Sequence, residues 1–385
     1  KRTNGEKFAA IVGDQACAES MTALKDLTLA LGSTNIDCRQ DGALLDASCR
    51  ASYVFNTTIA GIEDADACLI IGSNVRIEAP IVNVRLRKRF LMGGFRVGMI
   101  GENVDLTYMS DNLGAGTETL KEISQGKNSF CKILQKAKKP MLIIGQGALT
   151  RPDGRAVLTS ARIIAEKYGM IKKDWNGFNV LHTAAARVGG LDLGLVKKGG
   201  VPGIIKDCSN GKIDILYLLG ADEINMSELG DTFVIYQGHH GDTGAHRADV
   251  ILPGAAYTEK NATYVNTEGR VQRTRLAVFP VGEAKEDWTI IRALSGIIGH
   301  KLPYDTLSEI RGRMVEINHI FENDDQMIAQ AWSKFGGTGQ LKPGSFSSPV
   351  INFHMTDPIS RASETMAQCV EVLHDNVKEK TGTDG

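Results

Sequence analysis

Met141-Leu142-Ile143-Ile144-Gly145-Gln146-Gly147 is a run of four large apolar residues that stops abruptly at glycine. Shortly after it, Val157, Ala161, Ile164, Ala165 and Tyr168 recur at helical spacing until Gly169 ends them. A strand apolar on both faces, followed by a helix apolar on one side, is the repeating unit of a parallel sheet covered by helices. The same reading fits Cys68-Leu69-Ile70-Ile71 before Gly72-Ser73-Asn74 and Val97-Gly98-Met99-Ile100 before Gly101-Glu102-Asn103. It fits Ile215-Leu216-Tyr217-Leu218-Leu219 before Gly220-Ala221-Asp222 as well. Phe233-Val234-Ile235-Tyr236 precedes Gln237-Gly238-His239-His240-Gly241, with Val250-Ile251-Leu252 close behind. Met21, Leu24, Leu27 and Leu31 before Gly32, and Ile290, Ile291, Leu294, Ile297 and Ile298 before Gly299, predict two more one-sided helices. The expected class is α/β, with two Rossmann-like doubly wound parallel sheets.

At 385 residues the chain exceeds one domain of common size. Lys136-Ala137-Lys138-Lys139-Pro140, basic and proline-ended before a fresh strand, predicts a seam. The expected division is a first lobe over 1–135, a second over 136–302, and a C-terminal extension over 303–385. Gly336-Gly337-Thr338-Gly339, Pro343, Gly344 and Pro349 predict loop in that extension. Asp357 as cap and Pro358 at the first turn predict a last helix, docking through Met366, Cys369, Val370 and Leu373.

Lys plus Arg number 44 against 45 for Asp plus Glu, so nothing in the charge favours nucleic acid or an anionic membrane surface. No apolar run reaches the roughly 18 to 20 residues of a membrane helix, so no direct membrane insertion is expected. The 7 cysteines are scattered without a C-x-x-C pair, which speaks against a disulfide framework and for a reducing compartment.

Gly145-x-Gly147 comes nearest to a phosphate-cradling fingerprint, with Glu166 at loosely the right distance, but Thr150 stands where the third glycine belongs. Plain strand-to-helix turns explain these glycines better, and Gly72-Ser73-Asn74 likewise. His239 and His240 are neighbours, whose side chains in extended chain point to opposite sides, so with His246 they are expected to be turn histidines rather than metal ligands. Cys68 reads as core. Arg76, Arg85, Arg87, Lys88 and Arg89 fit a solvated helix face as well as an anchor for phosphate or an acidic partner. The sequons at Asn56 and Asn261 carry no weight in a reducing compartment. From the residues alone no activity is named, and no catalytic, cofactor-binding or metal residue is assigned.

The segment Tyr236 to Thr274, with Gly238-His239-His240-Gly241-Asp242-Thr243-Gly244-Ala245-His246-Arg247 and Asn266-Thr267-Glu268-Gly269-Arg270-Val271-Gln272-Arg273, closely resembles the 75 kDa iron–sulfur subunit family of respiratory complex I. Asn56-Thr57-Thr58-Ile59-Ala60-Gly61, Glu78-Ala79-Pro80 with Val104-Asp105-Leu106-Thr107-Tyr108, and Met355 to Ser363 extend the resemblance over nearly the whole chain. That family lies within the molybdopterin oxidoreductases, whose general signature stands here as Ala248 to Pro253, Glu259, Thr263, Asn266, Glu268-Gly269-Arg270 and Gln272. The resemblance implies a non-catalytic scaffold in the hydrophilic arm of NADH:ubiquinone oxidoreductase. It implies no cofactor in this chain, the Fe–S clusters being expected on an N-terminal part or partner chain before Lys1. It implies other hydrophilic-arm subunits as partners, on the matrix side of the mitochondrial inner membrane or the cytoplasmic side of a bacterial one. The rival is an active molybdenum or tungsten enzyme, formate dehydrogenase-like, with Cys38 or Cys49 as the metal's thiolate. A third reading is a retained small-ligand pocket of Gly72, Ser73, Asn74, Gly238 and His239.

Overall fold

The structure, a computed structural model, describes residues 5–375. Its core is a pair of five-stranded sheets, parallel throughout. The first runs Val250–Pro253, Phe233–Gly238, Ile215–Leu219, Phe8–Val12, Ile36–Asp37 across the sheet. The second runs Asp111–Gly114, Arg96–Ile100, Ala67–Ile71, Pro140–Ile144, Phe178–Val180. Ala67–Ile71 and Pro140–Ile144 are buried at every residue, as apolar runs without alternation require when helices cover both faces.

The expected division at 136 does not hold. Phe8–Val12 pairs with Ile215–Leu219, so the first lobe is assembled from both ends of the chain around an inserted second lobe. The basic, proline-ended stretch is a corner within one sheet rather than a seam: the Lys138 and Lys139 amides donate to Asp66 at 2.6 and 2.9 Å, and Lys139 pairs with Asp64. Phe8-Ala9-Ala10-Ile11-Val12 before Gly13 carries the same signature as the other strands, and it is this strand that moves the boundary. Gly13 is needed there because a Cβ would lie 1.7 Å from the Gly220 carbonyl oxygen on the adjacent strand end. The boundary at 302 also shifts, since helix Leu307–Ile317 packs on helix Ala18–Ala30 with Arg311–Glu19 and Arg313–Asp26 ion pairs.

Helices Ala18–Ala30 and Gly154–Lys167 bury the expected faces. Helix Asp287–Ile297 buries Trp288, Ile291 and Ser295 instead, leaving Ile297 in solvent, because only the side against Ala18–Ala30 is covered. The last helix is two short ones, Pro358–Arg361 and Glu364–Val370, since the Ser363 side chain accepts from the Met366 amide and starts a new helix. Met366, Cys369 and Val370 are half-buried and Leu373 is exposed, so the expected docking face is shallow.

Candidate functional site

In an open parallel sheet, ligands sit outside the carboxyl ends of the strands, where loops can diverge and helix N-termini point inward. Two such edges exist here. On the second sheet, the edge is formed by Gly72-Ser73-Asn74, Gly145-Gln146-Gly147 and Leu181-His182-Thr183. Its glycines serve close packing. A Cβ on Gly72 would come 2.6 Å from that of Ala148, one on Gly145 2.5 Å from that of Ser73, and one on Gly147 1.9 Å from the Ser347 carbonyl oxygen. The last of these contacts belongs to the C-terminal extension. There the Phe346 amide donates to the Ala115 carbonyl at 2.8 Å, its ring is wholly buried, and Arg151 lies 5.5 Å above that ring. Arg151 also donates to the carbonyls of Ser345 and Lys342. Thr150 bonds back to Gln146, and Glu166 pairs with Arg162 and Trp332.

On the first sheet, Asp14, Gln15, Gln40, Tyr236 and His239 surround a cavity of about 30 Å³ beneath Thr356-Asp357-Pro358. That is room for about one water. Asp14 Oδ1, Gln15 Oε1 and Gln40 Nε2 are shut off from solvent with no protein partner. Burial pushes Asp14 up to about 6, against the pull of Arg187 and of the nearby Gln40 amide, while Asp41 and Glu223 add repulsion. Beside this cavity a cleft of about 550 Å³ is lined by Asp14, Asp41, Glu78 and Glu223 and roofed by Pro349 to Phe353 with Met355 and Thr356. Arg187, wholly buried, is committed to Asp41 at 3.0 Å.

His239 and His240 meet, Nδ1 to Nδ1 at 2.7 Å, because the chain bends there rather than staying extended. This corrects the expectation of opposed side chains. Burial, with help from Lys260 and His240, pushes His239 down to about 4. His246 lies on helix Thr243–Arg247, and no group of three or more His, Cys, Asp or Glu among the described residues is arranged to hold a metal. Lys260 and Asp287 form a buried ion pair on the cavity wall. Burial alone would lower the Lys260 pKa, and Asp287 more than reverses that. Sequence reasoning missed this pair, because nothing in the local pattern marks Lys260 as internal.

The structure does not bring the five residues of the third reading together: Gly238 and His239 line the first edge, Gly72, Ser73 and Asn74 the second. Arg85 and Lys88 both pair with Glu63, Arg76 with Asp105, and Arg89 caps the Ala65 carbonyl, leaving Arg87 exposed. Asn56 donates to three carbonyls. The signature residues are structural too. Asp249 accepts from the Val234 amide, Glu259 from the Ala256 amide, and Thr263 donates to buried Glu19. Asn266 shapes the hairpin Thr263–Val265 and Val271–Arg273 by accepting from the Glu268 and Arg270 amides. The tip of that hairpin joins the lobes, since Thr267 accepts from the Phe55 amide, Glu268 from the Ile59 amide and Gly269 from Arg50.

The residues do not fit a pterin dinucleotide with its metal. The cleft lining holds four carboxyl groups and no Lys or Arg; Asp41 and Glu223 are already paired with Arg187 and Arg361, so no cationic side chain is left there for a pyrophosphate. Cys38 is buried, its thiol pushed up to about 12 by burial first and by Asp37 next, and its sulfur lies 2.7 Å from where a Cβ on Gly190 would be. Cys49 is buried against the Ala331 carbonyl. Neither thiol is part of the cleft lining. Cys68 sits in the core strand, as expected.

The paired doubly wound sheets and their joining hairpin define a family: the chain belongs to the molybdopterin oxidoreductases, whose model matches residues 1–297. A second model, for the C-terminal part of the NADH-ubiquinone oxidoreductase G subunit, matches residues 321–369. The chain is 43% identical to the NADH-ubiquinone oxidoreductase 75 kDa subunit of Reclinomonas americana, over 96% of this chain and 56% of that one. It is 43% identical to the NADH-quinone oxidoreductase G subunit of Rickettsia felis, over 96% and 54%. It thus spans about half the length of these curated relatives. Among solved structures, acetylene hydratase from Pelobacter acetylenicus shares the fold at TM-score 0.52 and 13% identity, over 82% of this chain and 59% of that one. A formyltransferase/hydrolase complex from Methylorubrum extorquens does so at 0.52 and 14%, over 80% and 92%.

Proposed function

We propose that this chain is a non-redox scaffold of NADH:quinone oxidoreductase, a part of the hydrophilic arm that holds a cluster-bearing segment and neighbouring subunits in place. One observation carries this reading. The strand-end edges where a family ligand would sit are crossed by the chain itself, with Ser345 to Ser347 packed on the second sheet and Thr356 to Arg361 over the first, so that only the carboxyl-lined cleft of about 550 Å³ is left between them. Both segments fall within residues 321–369, the stretch that matches the NADH-ubiquinone oxidoreductase model rather than the general molybdopterin one. Electron transfer between fixed centres depends steeply on distance, so a rigid body beside them serves the reaction without touching an electron. The Fe–S clusters fall to another segment or a partner chain in this reading, and the location to the matrix side of the mitochondrial inner membrane or the cytoplasmic side of a bacterial one. No helix among the described residues is long and apolar enough to cross a membrane, which is compatible with a peripheral place. The test is to tag the chain in its source and purify it under mild detergent. Recovery with an NADH-oxidising, quinone-reducing assembly supports the proposal, and recovery as a free redox enzyme overturns it.

A further inference from the structure

Residues 341–363 cross from one lobe to the other, and their two ends are held by different physics. At the second sheet the anchor is packing and backbone pairing, backed by side-chain bonds to the strap's backbone. Phe346 is wholly buried, Ser345 bridges Gly116, and Thr117 and Arg151 both donate to the Lys342 carbonyl. The Lys342 amide in turn donates to Asp153 at 2.7 Å. Between the anchors the chain is open to solvent, with Ile351 92% exposed. At the first sheet the main anchor is one side chain, with Gln15 beside Asp357 adding a polar contact. Arg361 donates to Asp242 at 2.7 Å and to Glu223, and steadies its own segment through the Met355 carbonyl at 3.2 Å. The Arg361 side chain is 26% exposed and those of Asp242 and Glu223 15% and 35%, so salt reaches this cluster. No residue of helix Pro358–Arg361 is buried.

We infer that this segment is a hinged strap: residues 341–348 are a permanent anchor, and residues 355–363 are a latch, closed by Arg361 on Glu223 and Asp242, that opens over the first-sheet cavity. The inference goes beyond the scaffold proposal and does not depend on it. Opening has a local reason to be possible. The polar ends of Asp14, Gln15 and Gln40 lie under the latch around a space for about one water, so an open latch exposes polar atoms that water can solvate rather than an apolar face. A third carboxyl group, Asp222, lies in the field of Arg361 without touching it, its oxygens accepting from the Tyr236 hydroxyl and the Gly244 amide.

Amide hydrogen exchange on the full chain tests this, comparing the parent with Arg361→Ala and with Glu223→Gln/Asp242→Asn, at about 50 and 500 mM salt. The expected result is at least a tenfold loss of protection at the amides of Ile359, Ser360 and Arg361 in both variants. In the parent the same amides lose protection at high salt. The Phe346 amide stays unchanged in all three proteins. Equal loss at Phe346 and at 359–361 would show one cooperative segment without a hinge, and unchanged exchange at 359–361 would show that Arg361 is no latch. Either result overturns the inference. Arg361→Lys, which keeps the charge but not the fork that spans two carboxylates, is expected to restore protection only in part. Because the readout is backbone exchange, it stands or falls separately from any role of the chain in an assembly.

Discussion

The two sheets have the same strand count, the same parallel arrangement and the same glycine-ended strands, yet their carboxyl edges are closed in opposite ways. The second-sheet edge is closed by contact, with Gly72, Gly145 and Gly147 allowing backbone to lie on backbone and Phe346 sealing the rest. The first-sheet edge is closed by charge: a buried Lys260–Asp287 pair, an Asp14 that resists ionisation, and Arg361 across two carboxylates. A steric seal is indifferent to pH and salt, whereas an electrostatic one is not. One fold thus closes one edge chiefly by packing and the other chiefly by charge.

Four substitutions sharpen or break that contrast. The largest effect is expected for Lys260→Ala, which leaves Asp287 buried without its cation and is worth about 3–5 kcal/mol of lost stability. Denaturant midpoints measure it, and a loss under about 1 kcal/mol would mean that water reaches the pair. Next comes Gly147→Ala, whose Cβ collides with the Ser347 carbonyl oxygen and is expected to destabilise by about 3 kcal/mol, equally at low and high salt. An unchanged midpoint would show that the strap does not press on that edge.

Asp14→Asn acts in the other direction. The folded pKa of about 6 lies above the ordinary 3.8, so the native state binds the proton more tightly than the unfolded chain. The resulting penalty on the native state is fully present above pH 6, fades as pH falls through 6, and is gone below 3.8. The variant is therefore expected to gain up to about 3 kcal/mol near neutral pH and nothing once the pH is below the ordinary carboxylate range. A gain that persists at low pH would mean that Asp14 is not held unfavourably charged. The smallest effect is Arg361→Ala, about 1 kcal/mol at low salt and less at about 0.5 M, read from the same midpoints.

How much of this the sequence discloses differs between the two edges. Strand-then-glycine patterns locate Ala67–Ile71, Arg96–Ile100 and Pro140–Ile144, and Gly145 and Gly147 stand where backbone packs too closely for a Cβ. Phe8–Val12 carries an equally clear pattern, but its partner strand lies some two hundred residues along the chain, and no local signal announces that pairing. Ile36–Asp37 and Phe178–Val180 are too short to announce themselves. The closure of the edges is not legible at all. Ser347 meets Gly147, and Arg361 meets Glu223 and Asp242, across long stretches of chain that no local period connects. The same holds for Lys260, whose buried partner Asp287 starts a separate helix.

Whether the chain works by holding its neighbours or by its own redox chemistry is decided most directly by counting metal atoms per polypeptide. The chain would be taken from its native source, inside its assembly, and molybdenum and tungsten measured together with released pterin. A scaffold with edges covered by its own chain should carry neither metal near one atom per chain and no releasable pterin, while the assembly oxidises NADH. Near-stoichiometric molybdenum or tungsten with pterin would contradict it and would require the strap to lie elsewhere in the working protein.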